Sequence, residues 1–184
     1  MTCIVGMVED GVVYIGGDAL ASETVGNHVV ARADEKVFAN GDFLFGFCGS
    51  FRIGQLLRYA FTPPEQGNKN DMAYMVVDFI DAVRRTCKKK GVLKKVDEEE
   101  SSESTFLVGY KGKLYVVEGD FDVGCHADSY CAIGAGAHFA LGSLHTTQGL
   151  TFTAKERICM ALQAAAAYNS AVRGPFIIRS LPEQ

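Results

Sequence analysis

The 184-residue sequence is poor in proline, and it has neither an excess of basic residues nor a long apolar run. Four prolines and 20 glycines are too few for a low-complexity or disordered chain, and 48% apolar residues are enough to build a core. Because 22 acidic residues outnumber 18 basic ones, we expect no nucleic-acid partner. No stretch approaches the roughly 18 continuous apolar residues of a membrane-spanning helix, so we expect no membrane partner.

Cysteine and histidine occur without the spacing that marks metal sites or disulfide frameworks. The six cysteines include no CxxC pair and the four histidines are scattered, so we expect free buried thiols, no metal and no cofactor. At the start of the sequence, residues 1–8 run into Glu9-Asp10 without a preceding basic residue, which is not the pattern of a secretory signal. These observations favour a cytoplasmic protein.

Apolar periodicity and turn residues predict pairs of strands that alternate with pairs of helices. The predicted strands cover residues 3–8, 12–17, 35–39, 43–48, 105–110, 114–118, 121–123, 130–133 and 176–178. The predicted helices cover residues 51–60, 72–90, 137–148 and 154–171. This order predicts an α+β fold in which two antiparallel sheets pack face to face, with a helical layer outside each. Because no linker divides the chain, we expect a single domain over residues 1–184.

The two helices of the first half have clear apolar faces. Ser50 lies at the N-cap position of the first, which would bury the aromatic and aliphatic residues Phe51, Ile53, Leu56, Leu57, Tyr59 and Ala60. The second would bury a stripe formed by Met75, Val76, Phe79, Ile80 and Val83. The stretch that follows, residues 92–104, is predicted to be a charged surface connection.

Thr2 directly follows Met1, which methionine aminopeptidases generally remove before a small residue. Removal would leave a threonine whose hydroxyl and free α-amine belong to one residue. An α-amine has a pKa near 8, so near neutrality it can accept the hydroxyl proton and activate a weak nucleophile. Many proteins begin with Met-Thr, so this interpretation depends on the rest of the chain.

Four further motifs follow Thr2 in a specific order. They are Gly17-Asp18 followed by Ala21-Ser22, then Lys36-Val37, then Gly46-Phe47-Cys48-Gly49-Ser50, and finally Ala132-Ile133-Gly134-Ala135-Gly136. Together with the N-terminal threonine strand, they resemble the proteasome β-subunit family of N-terminal-nucleophile hydrolases, and within it the bacterial HslV-like branch. The resemblance covers nearly the whole chain. It implies the four-layer αββα sandwich of that family.

The resemblance implies a catalytic role for four residues. Thr2 would be the nucleophile, Asp18 and Lys36 would lie beside it, and the Gly49 N–H would bind the tetrahedral oxyanion. An ammonium beside the threonine hydroxyl lowers the pKa of that hydroxyl, and a partly buried lysine needs a carboxylate partner to remain charged. Each of these residues also has an ordinary structural interpretation when it is taken singly. A carboxylate such as Asp18 is typical of the end of a hairpin, a lysine such as Lys36 is typical of a solvated strand, and a glycine such as Gly49 is typical of the start of a helix.

The resemblance also implies a substrate site. The backbone of Ala21 and Ser22 matches positions that pair with an extended substrate, although both residues could equally belong to an ordinary loop. Phe47 matches the base of the side-chain specificity pocket and Phe51 a position that lines it. A large aromatic side chain there would favour small or medium apolar substrate side chains, but core packing explains Phe47 equally well.

Two positions depart from the family pattern. The family usually has a serine near the threonine amine where this chain has Ala135. It also has an aspartate where residues 168–174 of this chain contain no carboxylate. Asn169 or Ser170 could take part of that role by hydrogen bonding to the amine, but neither carries a negative charge. These departures make reduced or absent peptidase activity a second interpretation.

Three hypotheses follow. The first is a threonine endopeptidase subunit that assembles with copies of itself into a ring, degrades peptides or unfolded proteins and receives folded substrates from an ATP-dependent unfoldase. The second is a catalytically weak or inactive structural subunit of such a ring. The third is an N-terminal-nucleophile amidase for a small molecule, for which 184 residues leave little room for pocket-forming segments. In the first two, the helices that start at Ser50 and Met72 would form part of the contacts between subunits.

Overall fold

Two antiparallel β-sheets form the centre of the fold in the computed structural model, which describes residues 2–22, 29–96 and 99–182. The first sheet has the strand order β12-β1-β2-β13, with β1 Cys3–Glu9, β2 Val12–Asp18, β12 Tyr130–Gly134 and β13 Phe176–Leu181. The second sheet has the order β11-β10-β9-β6-β5. Its strands are β5 Val37–Asn40, β6 Phe43–Cys48, β9 Thr105–Tyr110, β10 Lys113–Val117 and β11 Val123–Gly124.

Two small hairpins lie outside these sheets. β3 (Leu20–Ser22) pairs with β4 (Val29–Ala31), and β7 (Lys94–Val96) pairs with β8 (Glu99–Ser101). The second hairpin corrects the prediction that residues 92–104 are a plain surface connection. In this hairpin Lys95 lies opposite Glu100, and opposite charges at directly paired positions favour strand pairing where apolar alternation is absent.

Five α-helices of the described segments lie in the outer layers. They are α1 Phe51–Tyr59, α2 Asp71–Ala73, α3 Ile80–Lys89, α4 Ala137–Thr146 and α5 Ala154–Tyr168. A π-helical segment, Tyr74–Phe79, joins α2 to α3, so the single helix predicted over residues 72–90 is a composite of three helical segments. No helix in the described part of the chain has the length and apolar character needed to cross a membrane.

Three buried clusters lie between four layers. One, which includes Ile4, Ile15 and Leu44, fills the space between the two sheets. A second packs the first sheet against α4 and α5, and a third packs the second sheet against α1, the π-helical segment and α3. The order helix, sheet, sheet, helix confirms the predicted four-layer αββα fold.

The π-helical segment and the end of α1 change which apolar side chains are buried. Val76 is 44% exposed, because hydrogen bonds from residue i to i+5 widen the helical turn and rotate it away from the core, where Tyr74 is buried instead. Tyr59 is 75% exposed, because α1 ends there and Phe61, whose N–H donates to the Leu56 carbonyl, fills the core. Ala60, the C-cap residue of α1, is exposed as well. The predictions that Val76, Tyr59 and Ala60 are buried were therefore wrong.

Several predicted boundaries also shift. Phe121 is not in a strand, since its φ of 73° is incompatible with extended backbone. The last strand extends to Leu181, because it pairs with β2 along its whole length. The last helix ends at Tyr168, where Asn169 takes an extended conformation and its side-chain oxygen accepts a hydrogen bond from the Ala171 N–H.

Glycines allow the two sheets to pack closely. A Cβ atom on Gly46 in β6 would lie 2.6 Å from side-chain methyl groups of both Ile4 and Ile15 in the opposite sheet. We therefore expect Gly46→Ala to lower the free energy of unfolding by about 1–3 kcal/mol, because the inserted methyl group forces the sheets apart.

Urea denaturation measures this change, with Gly142→Ala as the matched control. Gly142 lies in α4 with no atom near the position of an added Cβ, so the control is expected to match or slightly exceed wild-type stability. A Gly46→Ala variant as stable as the wild type would contradict the packing described here.

Candidate active site

The candidate active site is organised by a buried ion pair between Asp18 and Lys36. The Lys36 Nζ donates to both carboxylate oxygens of Asp18 at 3.0 Å, and both side chains are almost completely buried. Asp18 is the last residue of β2, and Lys36 lies directly before β5, so the pair joins the two sheets at one edge. The structure thus brings together two of the predicted catalytic residues.

The Asp18 carboxylate also binds the main chain on both sides of the ion pair. Its Oδ1 accepts the Cys3 N–H at 3.0 Å and its Oδ2 accepts the Leu20 N–H at 3.1 Å. The amide that follows Thr2 and the Lys36 ammonium therefore share one carboxylate oxygen. This arrangement fixes the start of β1 beside the ion pair.

Thr2 itself is held from the opposite side by the turn between β12 and α4. It is 4% exposed, and its carbonyl oxygen accepts the Gly136 N–H at 3.3 Å. Gly134 has a φ of +91°, and a Cβ atom there would lie only 2.4 Å from the Thr2 carbonyl oxygen. Only glycine therefore allows this turn to approach the predicted nucleophile so closely.

Burial determines the ionisation of the groups around Thr2. It lowers the pKa of Lys36, and the neighbouring Asp18 carboxylate opposes that shift and favours the ammonium form. Burial, together with the Asp18 charge, raises the pKa of the Cys3 thiol to about 12, and burial also raises the pKa of Cys48. Both thiols are therefore protonated near neutrality, and neither is an activated nucleophile.

Gly49 lies in the turn between β6 and α1, as predicted, with a φ of +98°. The backbone hydrogen bonds of the described residues include none donated by its N–H. Ser50 occupies the N-cap position of α1, but its side chain makes no capping hydrogen bond. The Ser50 N–H donates instead to the Ser104 Oγ at 2.9 Å.

The predicted substrate-binding residues lie in two places. Ala21 and Ser22 belong to β3, where they are opposite Val30 and Val29 of β4, so they form a strand and not an irregular loop. Phe47 and Phe51 pack edge to face with ring centroids 5.7 Å apart. Both line a cavity of about 170 Å³, and Phe47 is also part of the buried core. The role of Phe47 in a specificity pocket stays a prediction.

Asn169 and Ser170 directly follow α5, and Asn169 contacts the turn between β12 and α4. The Asn169 Nδ2 donates to the Ala135 carbonyl at 2.8 Å, and its Oδ1 accepts the Ala171 N–H at 3.0 Å. The side chain thus ties the end of α5 to the turn that contacts Thr2, while Ser170 is exposed. The prediction that one of them bonds to the threonine amine stays a prediction.

Arg32 and Ser104 were not singled out by the sequence. The Arg32 guanidinium pairs with Asp34 and lies 4.2 Å from the centroid of the Phe51 ring. The Ser104 Oγ accepts a hydrogen bond from the N–H of Ser50, the residue after Gly49. The contacts of Arg32 with Phe51 and of Ser104 with Ser50 join residues far apart in the chain, and neither Arg32 nor Ser104 lies in a motif, so no local pattern in the sequence indicates these contacts.

Comparison by sequence finds no matching protein-family model and no significantly similar curated protein. Comparison by structure finds BPH from Thiobacillus denitrificans, which is 20% identical over 97% of both chains with a TM-score of 0.80 and was also solved in complex with epoxomicin. HslV from Trypanosoma brucei is 17% identical over 100% of both chains, with a TM-score of 0.69.

Anbu from Yersinia bercovieri gives a similar result. It is 14% identical over 98% of this chain and 81% of its own, with a TM-score of 0.68. The chain therefore has the fold of the proteasome-type subunits HslV and Anbu, as the sequence motifs had predicted.

The buried ion pair gives a stability prediction. Asp18→Asn leaves the Lys36 ammonium buried without a counter-charge, and we expect it to lower the free energy of unfolding by about 3–5 kcal/mol. The double variant Asp18→Asn/Lys36→Met removes both charges and is expected to recover part of that loss.

Chemical denaturation of the wild type, Asp18→Asn, Lys36→Met and the double variant measures the coupling free energy between the two side chains. Glu35→Gln is the control, because it removes the partner of Arg179 in a much more exposed ion pair and is expected to change stability by no more than about 1 kcal/mol. Additive effects of the two site substitutions would contradict a direct interaction.

Proposed function

We propose that the chain is a threonine-type endopeptidase subunit of a self-compartmentalising, proteasome-like or HslV-like protease that degrades peptides and unfolded proteins. The observation that carries this proposal is the shared contact of Asp18, whose Oδ1 accepts both the Lys36 ammonium and the N–H that follows Thr2. The fold shared with HslV and Anbu supports it, as does the Gly49 N–H, which donates no backbone hydrogen bond to any residue that the structure describes.

In the proposed reaction, processing first makes Thr2 the N-terminal residue. Its neutral α-amine accepts the proton of the Thr2 Oγ1, directly or through one water, and the Lys36 ammonium favours ionisation of the hydroxyl. The oxygen attacks the peptide carbonyl carbon, and the Gly49 N–H donates to the oxyanion. The protonated amine then passes its proton to the leaving amine of the substrate.

The second half of the reaction regenerates the enzyme. The first half leaves the acyl part of the substrate joined to Thr2 as an ester. The α-amine takes a proton from water, the resulting hydroxide attacks the ester carbonyl, and the tetrahedral intermediate collapses with return of the proton to the threonine oxygen. Asp18 makes no bond to substrate in this scheme, and its role is to keep Lys36 charged and in position.

The proposed substrate binds as an added strand. β3 pairs with β4 along one edge, and in the described part of the chain no strand occupies its other edge. The backbone of Ala21 and Ser22 could therefore hydrogen-bond to an extended peptide of almost any sequence. The cavity beside Phe47 and Phe51 would accept a small or medium apolar side chain.

We further propose that copies of this chain assemble into a ring with the threonines facing an inner chamber. A chamber would spare folded cytoplasmic proteins, and an ATP-dependent unfoldase would then supply unfolded substrates. Exposed apolar side chains on the outer helical segments, Met72, Val76 and Val77, support a role for this surface in contacts between subunits. Closed cyclic symmetry satisfies such a repeated contact with identical chains.

One observation favours the alternative of a weak or inactive ring subunit. The Asn169 amide is engaged by two main-chain groups, and no carboxylate lies in the segment that follows α5. The threonine amine would then lack a negatively charged neighbour on that side. In this alternative the chain assembles normally but turns over peptides slowly or not at all.

Replacing the nucleophile tests the proposed activity. We expect Thr2→Ala, purified with residue 2 at the N-terminus, to lose all peptide hydrolysis, because the side chain retains no attacking oxygen. Thr2→Ser keeps the oxygen and is the matched control, which should retain measurable turnover.

Hydrolysis of fluorogenic peptides measures both variants, and thermal unfolding checks that they fold like the wild type. Undiminished hydrolysis by Thr2→Ala would contradict the proposed mechanism. An inactive wild type that still assembles would favour the structural-subunit alternative.

Light scattering tests the assembly. We expect a monodisperse particle whose mass is a multiple of the 19.9 kDa subunit, because a ring is needed to enclose the sites. A 19.9 kDa monomer that hydrolyses peptides at nanomolar concentration would exclude the chamber and favour an amidase for small molecules.

A further inference from the structure

We propose that Ser104 is a positioning residue for the oxyanion-binding N–H of Gly49. The proposal rests on the peptidase function proposed above and adds a residue to it that the sequence motifs do not contain. Ser104 lies directly before β9, the central strand of the second sheet, and is far from Thr2 in the sequence. It is 3% exposed.

Gly49 has a left-handed conformation, with a φ of +98°. Glycine tolerates a wide range of backbone angles, so its own sterics do not fix the direction of its N–H. An oxyanion site requires a donor that already points to the place where charge develops, because reorganisation during the reaction weakens the stabilisation. Some contact outside Gly49 must therefore hold this turn.

Ser104 supplies that contact. Its Oγ accepts the Ser50 N–H at 2.9 Å, which fixes the peptide group on the C-terminal side of Gly49. The main chain around Ser104 also lies against Gly49, since an added Cβ there would be 2.7 Å from the Glu103 carbonyl oxygen. The two consecutive N–H groups therefore differ: the Ser50 N–H is bound to Ser104, whereas the Gly49 N–H has no backbone acceptor among residues 2–22, 29–96 and 99–182.

Ser104 is in turn held by a second buried serine. The Ser104 N–H donates to the Ser102 Oγ at 3.3 Å, and the Ser102 Oγ donates to the Ser104 carbonyl at 3.0 Å. The Ser102 N–H donates to the Gly119 carbonyl just beyond β10, at 2.8 Å. The contact with Ser50 is therefore connected to the second sheet by hydrogen bonds between buried groups.

A purely structural role would make a different prediction. If the Ser104 Oγ served only to cap α1, its loss would lower stability and leave the reaction rate of the folded protein unchanged. If it positions Gly49, its loss leaves the Ser50 N–H without its acceptor, the turn relaxes and the oxyanion donor moves. Only the second case lowers kcat selectively.

The experiment compares three variants with the processed wild type. Ser104→Ala removes the acceptor, Ser104→Thr retains a hydroxyl, and Ser101→Ala removes a hydroxyl from the same segment that bonds to Gly119 and Glu103 but not to Ser50. The measured quantities are kcat and KM on a fluorogenic peptide and the inhibition constant of a peptide aldehyde. The aldehyde forms a tetrahedral adduct with the nucleophile and therefore probes the oxyanion site.

We expect Ser104→Ala to lower kcat at least about tenfold, a part of the 10²–10³-fold associated with losing an oxyanion donor, with KM within about twofold. The aldehyde should bind about tenfold more weakly to this variant. Ser101→Ala should match the wild type, and Ser104→Thr should recover most of the lost kcat.

Equal kcat for Ser104→Ala and wild type would overturn this inference and leave the peptidase function intact. Equal losses in Ser104→Ala and Ser101→Ala would also overturn it, because they would show a general effect of the segment. A wild type that neither hydrolyses peptides nor binds the aldehyde would overturn the proposed function and this inference together. Should Ser104→Ala not fold, Ser104→Cys replaces it, because a thiol is a much weaker acceptor for the Ser50 N–H. A selective loss of kcat and of aldehyde affinity with wild-type KM then supports the inference, and values identical to those of the wild type overturn it.

Discussion

The carboxylate of Asp18 is the group on which the rest of the candidate site depends. It neutralises the buried Lys36 ammonium and accepts two backbone N–H groups from the segments on either side of it. A buried ammonium without such a partner would lose its proton or destabilise the fold, because burial disfavours the charged form. One carboxylate therefore joins β1, the end of β2 and the start of β5, and the predicted nucleophile lies next to that junction.

Two glycines determine how closely neighbouring main-chain segments approach one another around the candidate site. Gly134 lets the turn after β12 contact the Thr2 carbonyl, and Gly49 lets the segment before β9 contact the turn after β6. In both places the atom nearest to an added Cβ would be a main-chain carbonyl oxygen, which cannot move aside as the end of a flexible side chain can. The turn after β12 thus contacts the Thr2 carbonyl, while the Asp18 carboxylate binds the amide that follows Thr2.

Much of the fold could be predicted from the sequence, because most strands and helices have a clear apolar period and are bounded by turn residues. The predictions failed where tertiary packing decides the local structure. The exposure of Val76 depends on a π-helical turn that sequence periodicity does not indicate, and the β7–β8 hairpin forms in a charged segment that has no apolar alternation. In the site, Asp18, Lys36 and Gly49 lie in recognisable motifs, and the structure brings the first two into contact. Ser104 could not have been found in the same way, because its contact with Ser50 spans 54 residues and involves a main-chain group.

The central claim is that Thr2 carries both the nucleophile and its base. A peptide epoxyketone tests this directly, because stable ring closure requires a hydroxyl and an amine on the same residue. The processed protein is incubated with the compound, and its intact mass and peptide map are measured. The account predicts one adduct per chain, on Thr2. Failure to react in protein whose first residue is verified as Thr2, or an adduct on a cysteine such as Cys48, would contradict it.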